Sequence, residues 1–541
     1  MQRSRVPTRR PRLGLAIGAA ALVVALAGGP AAATGGDLSQ PVDFLHNNLA
    51  DAPVPGAVFG TLPGAKIGTA ICTTPASSAA NVNTDCEGTG PHNESSIAVN
   101  PIHPLNMIGG LNDYQLALNP GGRVSETTLS RAHVTMDGGH TWTTYPLNAT
   151  STYQATGDPS VAFDAAGRAY YATLGFRFVG AANAQSPDVL VSTSADGGVN
   201  WSAARVASGS GVFTSVGDLL DKEYVAAWGN GNAIVTFGDF RDGHKGSFVS
   251  ARIFASVTHD GGVTWSTPTV ICGNLAEAFV STPTVTADGR VFVSFLNTTD
   301  LATGRDDVEV VEVSPSTGHR IAGPFLAAHT IDGATDYPIA FVRQTYQDST
   351  FRTWAAGNIT ADPTNADHLA VVFSDMRNST LPAPTNPYAA TTNSDVVVSQ
   401  SFDAGRTWSA ASALTRPGDQ FMPWGAYDGA GSLRIGFFDR SYDPANHQYG
   451  YTLATEAPAG SLAFSFSQVS TALSDPTKND RWFATTLNAA FPHPTSFLGD
   501  YSNIAITPAG GVVAFWTDLR QSVSFAGRTA AGEDGFFAAV P

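Results

Sequence analysis

An eight-residue pattern recurs four times in this chain of 541 residues, and it restricts the fold more than any other feature. The copies are Thr135-Met136-Asp137-Gly138-Gly139-His140-Thr141-Trp142, Ser194-Ala195-Asp196-Gly197-Gly198-Val199-Asn200-Trp201, Thr258-His259-Asp260-Gly261-Gly262-Val263-Thr264-Trp265 and Ser401-Phe402-Asp403-Ala404-Gly405-Arg406-Thr407-Trp408. The shared form is Ser/Thr-x-Asp-x-Gly-x-Thr/Asn-Trp. Each position has a physical reason. The carboxylate of Asp137, Asp196, Asp260 or Asp403 accepts hydrogen bonds from backbone N–H groups of the tight turn that follows. The glycine supplies a positive φ that other residues resist. The tryptophan brings a large apolar area to pack. The octet therefore reads as a locked hairpin turn and not as a reacting site.

Each octet closes a longer unit. Upstream lies a strand that opens on an acid, as in Glu94-Ser95-Ser96-Ile97-Ala98, Asp158-Pro159-Ser160-Val161-Ala162, Asp221-Lys222-Glu223-Tyr224-Val225 and Asp500-Tyr501-Ser502-Asn503-Ile504. A second strand ends in aromatic-x-Asp-x-Arg, as in Phe237-Gly238-Asp239-Phe240-Arg241, Phe373-Ser374-Asp375-Met376-Arg377 and Trp516-Thr517-Asp518-Leu519-Arg520, with Phe438-Asp439-Arg440 a shortened copy. A third strand runs into the octet and a fourth follows the tryptophan. Units start near residues 94, 158, 221, 280, 355, 419 and 500. The interval from Asp260 to Asp403 is about twice the others, which implies a decayed octet near Ser314–Gly318; another lies near Thr455–Phe464. The last unit lacks a full fourth strand, so residues before Glu94 are expected to supply it and close a ring.

Four-stranded antiparallel units at this period predict an all-β propeller of seven blades, with six as the alternative count. Composition agrees. Charged residues are 14% and hydrophobic residues 43%, with 55 Gly and 33 Pro, a turn-rich mixture unsuited to a helical protein.

The octet resembles the Asp-box of sialidases and related propellers, and the likeness covers nearly all of residues 90–541. Sialidases are glycoside hydrolases that grip a substrate carboxylate with three arginines. They attack with a tyrosine assisted by a glutamate and use an aspartate as acid/base. Asp500-Tyr501-Ser502-Asn503-Ile504 is similar to the stretch around that nucleophile, so the resemblance implies Tyr501 as nucleophile. Asp158 is then the acid/base and Glu223 the one glutamate on a suitable inner strand. The family's early Arg-Ile-Pro motif is absent.

Independently of any resemblance, the acids that open the inner strands and the Asp-x-Arg pairs share one mouth of the ring, and the octets lie on the opposite face. Arg241, Arg377, Arg440 and Arg520, with Asp221, Asp239 and Asp500, are thus candidates to bind an anionic or polyhydroxylated ligand such as a glycan. The competing reading makes each Asp-x-Arg pair a staple repeated with the blade. A propeller that binds glycan or protein without catalysis is the alternative function. No cofactor is expected. Hard oxygen ligands at the mouth suit Ca²⁺, but no loop has a calcium pattern.

The N-terminus reads as an export signal over residues 1–33. Arg3, Arg5, Arg9, Arg10 and Arg12 precede an apolar run from Leu13, and Ala31-Ala32-Ala33 offers a cleavage site. The Arg9-Arg10 pair hints at twin-arginine export by a bacterial cell. The formal net charge is −16, and removing five arginines with the leader makes it more negative. That disfavours nucleic acid and anionic membrane as partners and favours a secreted protein. Residues 34–90 read as irregular. Export would let Cys72 and Cys86 pair, while Cys272 reads as a buried thiol. Residues 91–541 are the propeller.

Overall fold

The four octets fold into the same turn. In the first, Asp137 Oδ1 accepts from Thr141 N at 2.9 Å and Oδ2 from Thr141 Oγ1 at 2.6 Å, while Gly139 N donates to Thr135 Oγ1 at 2.9 Å. Asp196, Asp260 and Asp403 repeat these contacts with Asn200, Thr264 and Thr407. The bonds hold the carboxyls low; hydrogen bonds from Thr264 bring Asp260 down to about 2. The tryptophan packs against the neighbouring blade. Trp142 lies against Phe515 and Phe537 of the last blade, and a side chain at Gly139 would collide with Phe537.

The computed structural model describes residues 70–71, 81–85, 90–118, 124–147, 153, 155–177, 187–209, 217–242, 248–297, 306–331, 346, 349, 351, 353, 355–379, 392–478, 498–525 and 528–540. The leader and both Cys72 and Cys86 lie outside these residues. Among the described residues no helix is long and apolar enough to cross a membrane.

Seven antiparallel sheets form the blades. Their innermost strands are His92–Val99, Ala155–Phe163, Gly217–Trp228, Ala278–Val285, Gly357–Ala361, Gln420–Tyr427 and Asn503–Ile506, numbered as blades 1 to 7. Each inner strand contacts the next, and that of blade 7 contacts that of blade 1, so the ring is closed. Six blades have four strands; blade 1 has a fifth, Ala70–Ile71, beside Thr143–Pro146. The outer strand of blade 7 is Val82–Asn83, pairing Val82 with Phe537 and Asn83 with Phe536. The expected closure by residues before Glu94 is thus observed. The degenerate octets at Ser314–Gly318 and after Glu456 are turns at the places anticipated.

The core is divided among the blade interfaces because each sheet buries both faces against its neighbours. Small polar residues of the inner strands link the blades. Ser96 Oγ accepts from Val161 N at 3.0 Å, Ser160 Oγ from Val225 N at 3.1 Å, and Thr282 Oγ1 from Ile359 N at 3.2 Å. Just before this link the inner strand bulges. The pairing register shifts in blades 1, 2, 3, 4 and 6, and the residue in the bulge has a left-handed backbone: Glu94 (φ 56°), Asp158 (56°), Lys222 (54°), Val280 (46°) and Met422 (49°). Such a conformation costs a non-glycine residue about 1–3 kcal/mol, and the inter-blade bonds hold it in place.

Candidate functional site: the axial carboxyl cluster

Three of the bulges carry charge, and those charges meet. Lys222 Nζ lies 3.0 Å from Glu94 Oε1, 2.7 Å from Asp158 Oδ2 and 2.7 Å from Asp500 Oδ2. The lysine side chain is only 2% exposed. Burial alone would lower its pKa, but Asp158, Asp500 and Glu94 outweigh burial and raise it, so the ammonium persists. The bulge position in blade 3 therefore belongs to Lys222 and not to Asp221, which the repeat alignment placed there. Asp221 is buried one residue earlier and acts on Lys222 through its field.

Backbone geometry sets the cluster. Asn112 Nδ2 donates to Glu94 Oε2 at 2.9 Å, and its Oδ1 accepts from Asp158 N at 2.9 Å, tying blade 1 to blade 2. Gly499 precedes Asp500 at φ +87°, where a Cβ would come within 2.6 Å of Glu94 N. Only glycine lets Asp500 reach the lysine past that backbone.

Glu223 follows Lys222 and is wholly buried, and no other residue donates a hydrogen bond to its carboxyl oxygens. Burial first, and the Asp158 charge next, raise its pKa well above the ordinary carboxylate value. Tyr501 lies beside the cluster. Its hydroxyl donates to Pro159 O at 3.0 Å, and its ring centroid is 5.8 Å from Lys222 Nζ. Burial, then Glu94, Tyr224, Asp158 and Glu223, push its pKa well up. An aromatic wall continues from it: Tyr224 is 5.5 Å from Tyr501 and stacks on Trp424 at 5.8 Å. Trp424 is a partly exposed member of the group, whereas the Asp500 side chain is only 4% exposed.

Tyr501, Asp158, Glu223 and Asp500 are thus together, with Glu94 and Lys222 added. The arginines are not. Arg377 makes a two-pronged bond to Asp375 and reaches His329 O; Arg520 does the same with Asp518 and reaches Asn81 Oδ1 at 3.0 Å. Arg440 is buried against Asp419 Oδ2 at 3.4 Å and Ser349 Oγ at 2.7 Å, and Arg241 is exposed and paired with Asp218 at 2.8 Å. Asp239, 3.8 Å from Arg241, is raised to about 6 by burial and Asp218. Each arginine is engaged within or beside its own blade, so the three-arginine clamp is not assembled. Arg377 of blade 5 also reaches blade 4 through His329 O, whereas Arg241 stays within blade 3.

Sequence reasoning missed Lys222 as the hub. One signal was present: the chain has four lysines, and this one stands among acids on an inner strand.

No family model matches the chain, and no curated protein matches it. Among solved structures it is similar to the Hadza microbial sialidase Hz136, at 12% identity over 77% of this chain and 76% of that one, with a TM-score of 0.41. It is similar to a mutant of NanB sialidase from Streptococcus pneumoniae, at 7% identity over 88% and 99% and a TM-score of 0.41. It is also similar to the GH93 α-L-arabinofuranosidase of Fusarium graminearum in complex with arabinobiose, at 10% identity over 85% and 96% and a TM-score of 0.39. The chain itself is an all-β propeller of seven blades.

Proposed function

We propose that this protein is a glycoside hydrolase acting on terminal sugars at the axial cluster, with Glu223 as general acid. The observation that carries the reading is the contrast between two neighbouring carboxyl groups. Glu223 is buried and its pKa is pushed well up by burial and the Asp158 charge; Asp158 is gripped by an ammonium at 2.7 Å. Two carboxyl groups in unlike environments are what glycoside cleavage requires: one gives a proton to the leaving oxygen, the other faces the positive charge developing on the sugar.

The cluster also limits the substrate. Glu94, Asp158 and Asp500 surround one lysine, leaving the centre net negative. That field favours an oxocarbenium-like transition state and opposes a negatively charged sugar. The aromatic wall of Trp424, Tyr224 and Tyr501 suits the apolar face of a neutral pyranose or furanose ring. Tyr501, hydrogen-bonded and hard to ionise, orients the sugar in this scheme; attack by its oxygen would need Glu223 ionised to take the proton. The leader-like N-terminus and acidic charge support action outside the cell.

The second reading, a propeller that binds glycan without cleaving it, draws on the way Lys222 fills the axis. The two are separated by assaying purified protein against neutral aryl glycosides and an aryl sialoside. Turnover of a neutral glycoside, lost in Glu223→Gln, supports the hydrolase. Binding of the same sugars without turnover supports the second reading.

A further inference from the structure

We propose that Asp85, His92 and Asp534 form a divalent-metal site at the seam where the ring closes. These three residues come from three segments. Asp85 follows the closing strand Val82–Asn83, His92 opens the inner strand of blade 1, and Asp534 opens the third strand of blade 7. One ligand atom from each lies within 4.8 Å of the others, and all three residues are buried.

The donor set is two carboxylates and one imidazole. Nitrogen in the set suits Zn²⁺, Mn²⁺ or Fe²⁺ better than Ca²⁺ or Mg²⁺, which take oxygen. The imidazole is turned toward these acids. The His92 ring is fully buried, with Nε2 3.1 Å from Asp113 Oδ1 and 3.4 Å from Asp85 Oδ1. Nε2 is thus the nitrogen that faces the carboxylates and the one placed to hold an ion among them. Asp113 is itself fixed by Arg131 Nε at 2.5 Å.

The site lies where the fold is thinnest. The closing strand pairs through Val82 and Asn83, extended by Thr84 N to Gly535 O at 2.9 Å. An ion joining Asp85 to Asp534 would lock that short strand onto blade 7.

The full chain is stripped with a chelator, reloaded separately with Zn²⁺, Mn²⁺ or Ca²⁺, desalted, and assayed for metal content and thermal unfolding. About one Zn²⁺ or Mn²⁺ per chain is expected, with a higher Tm than the stripped form and no retained Ca²⁺. Asp85→Asn and Asp534→Asn are each expected to lose the ion and the Tm response. If either variant fails to fold, EPR of Mn²⁺ on the stripped wild type reads the nitrogen ligand directly through its hyperfine coupling. No retained metal together with an unchanged Tm overturns the proposal, as does metal that survives in both variants or a spectrum without nitrogen coupling.

Discussion

Glu223 follows Lys222 in the chain, yet its carboxyl takes no hydrogen bond from another residue while the ammonium next to it meets three carboxylates. The left-handed backbone at Lys222 separates the two side chains by turning the lysine toward Glu94, Asp158 and Asp500. The hub pairs with those three acids and leaves Glu223 outside the group, with its pKa pushed well up.

Removing the hub should expose its energetic role. Lys222→Met leaves three buried carboxyl groups without their cation, and breaking a buried ion pair typically costs about 3–5 kcal/mol. Urea unfolding is expected to show a loss of that order. Adding Asp158→Asn to the variant should restore part of it; a double variant no more stable than the single one would contradict the electrostatic account.

The proton on Glu223 has a sign that can be measured. Its folded-state pKa lies above the ordinary value of 4.5, so the folded protein holds the proton more tightly than the unfolded chain. This stabilisation is complete below the unfolded pKa and is lost as pH rises through the folded one. As pH rises above the unfolded value, the wild type is therefore expected to lose more stability than Glu223→Gln, by about 1.4 kcal/mol per unit of displaced pKa. Parallel stability curves would contradict a raised Glu223 pKa.

The octets should matter for stability and not for activity. Asp403→Ala removes acceptors for Thr407 N at 2.8 Å, Thr407 Oγ1 at 2.7 Å and Ser401 Oγ at 2.9 Å, for an expected loss of about 1–2 kcal/mol. Trp142→Ala opens a cavity between blades 1 and 7 and is expected to cost about 3–5 kcal/mol. Turnover per folded molecule should be unchanged in both. A specific fall in kcat at full folding would place the octets nearer the chemistry than the ring geometry does.

The ring was legible because its rules are local. Asp137, Gly139 and Trp142 encode a turn within eight residues, and the repeat of that turn counts the blades. Even closure from the N-terminal side followed from a missing fourth strand. The site was less legible because its geometry is not local. Whether Asp221 or Lys222 meets Asp158 depends on a one-residue bulge, and a shift of one residue sends a strand's side chain to the other face. Arg377 and Arg520 looked free to bind a ligand in the sequence, but the Asp two residues before each turns it into a staple. The buried group of Asp85, His92 and Asp534 carried no recognisable spacing, since it forms only where the closing strand and blade 7 meet blade 1.

The most direct measurement compares leaving groups. A general acid matters most when the departing oxygen is a poor leaving group, and its loss there costs about 10²–10⁴-fold. With neutral glycosides carrying an alkyl or a dinitrophenyl leaving group, Glu223→Gln is expected to lose activity by that factor on the alkyl substrate and far less on the dinitrophenyl one. An equal loss on both, or full activity on the alkyl glycoside, would contradict Glu223 as the acid and the axial cluster as the seat of glycoside cleavage.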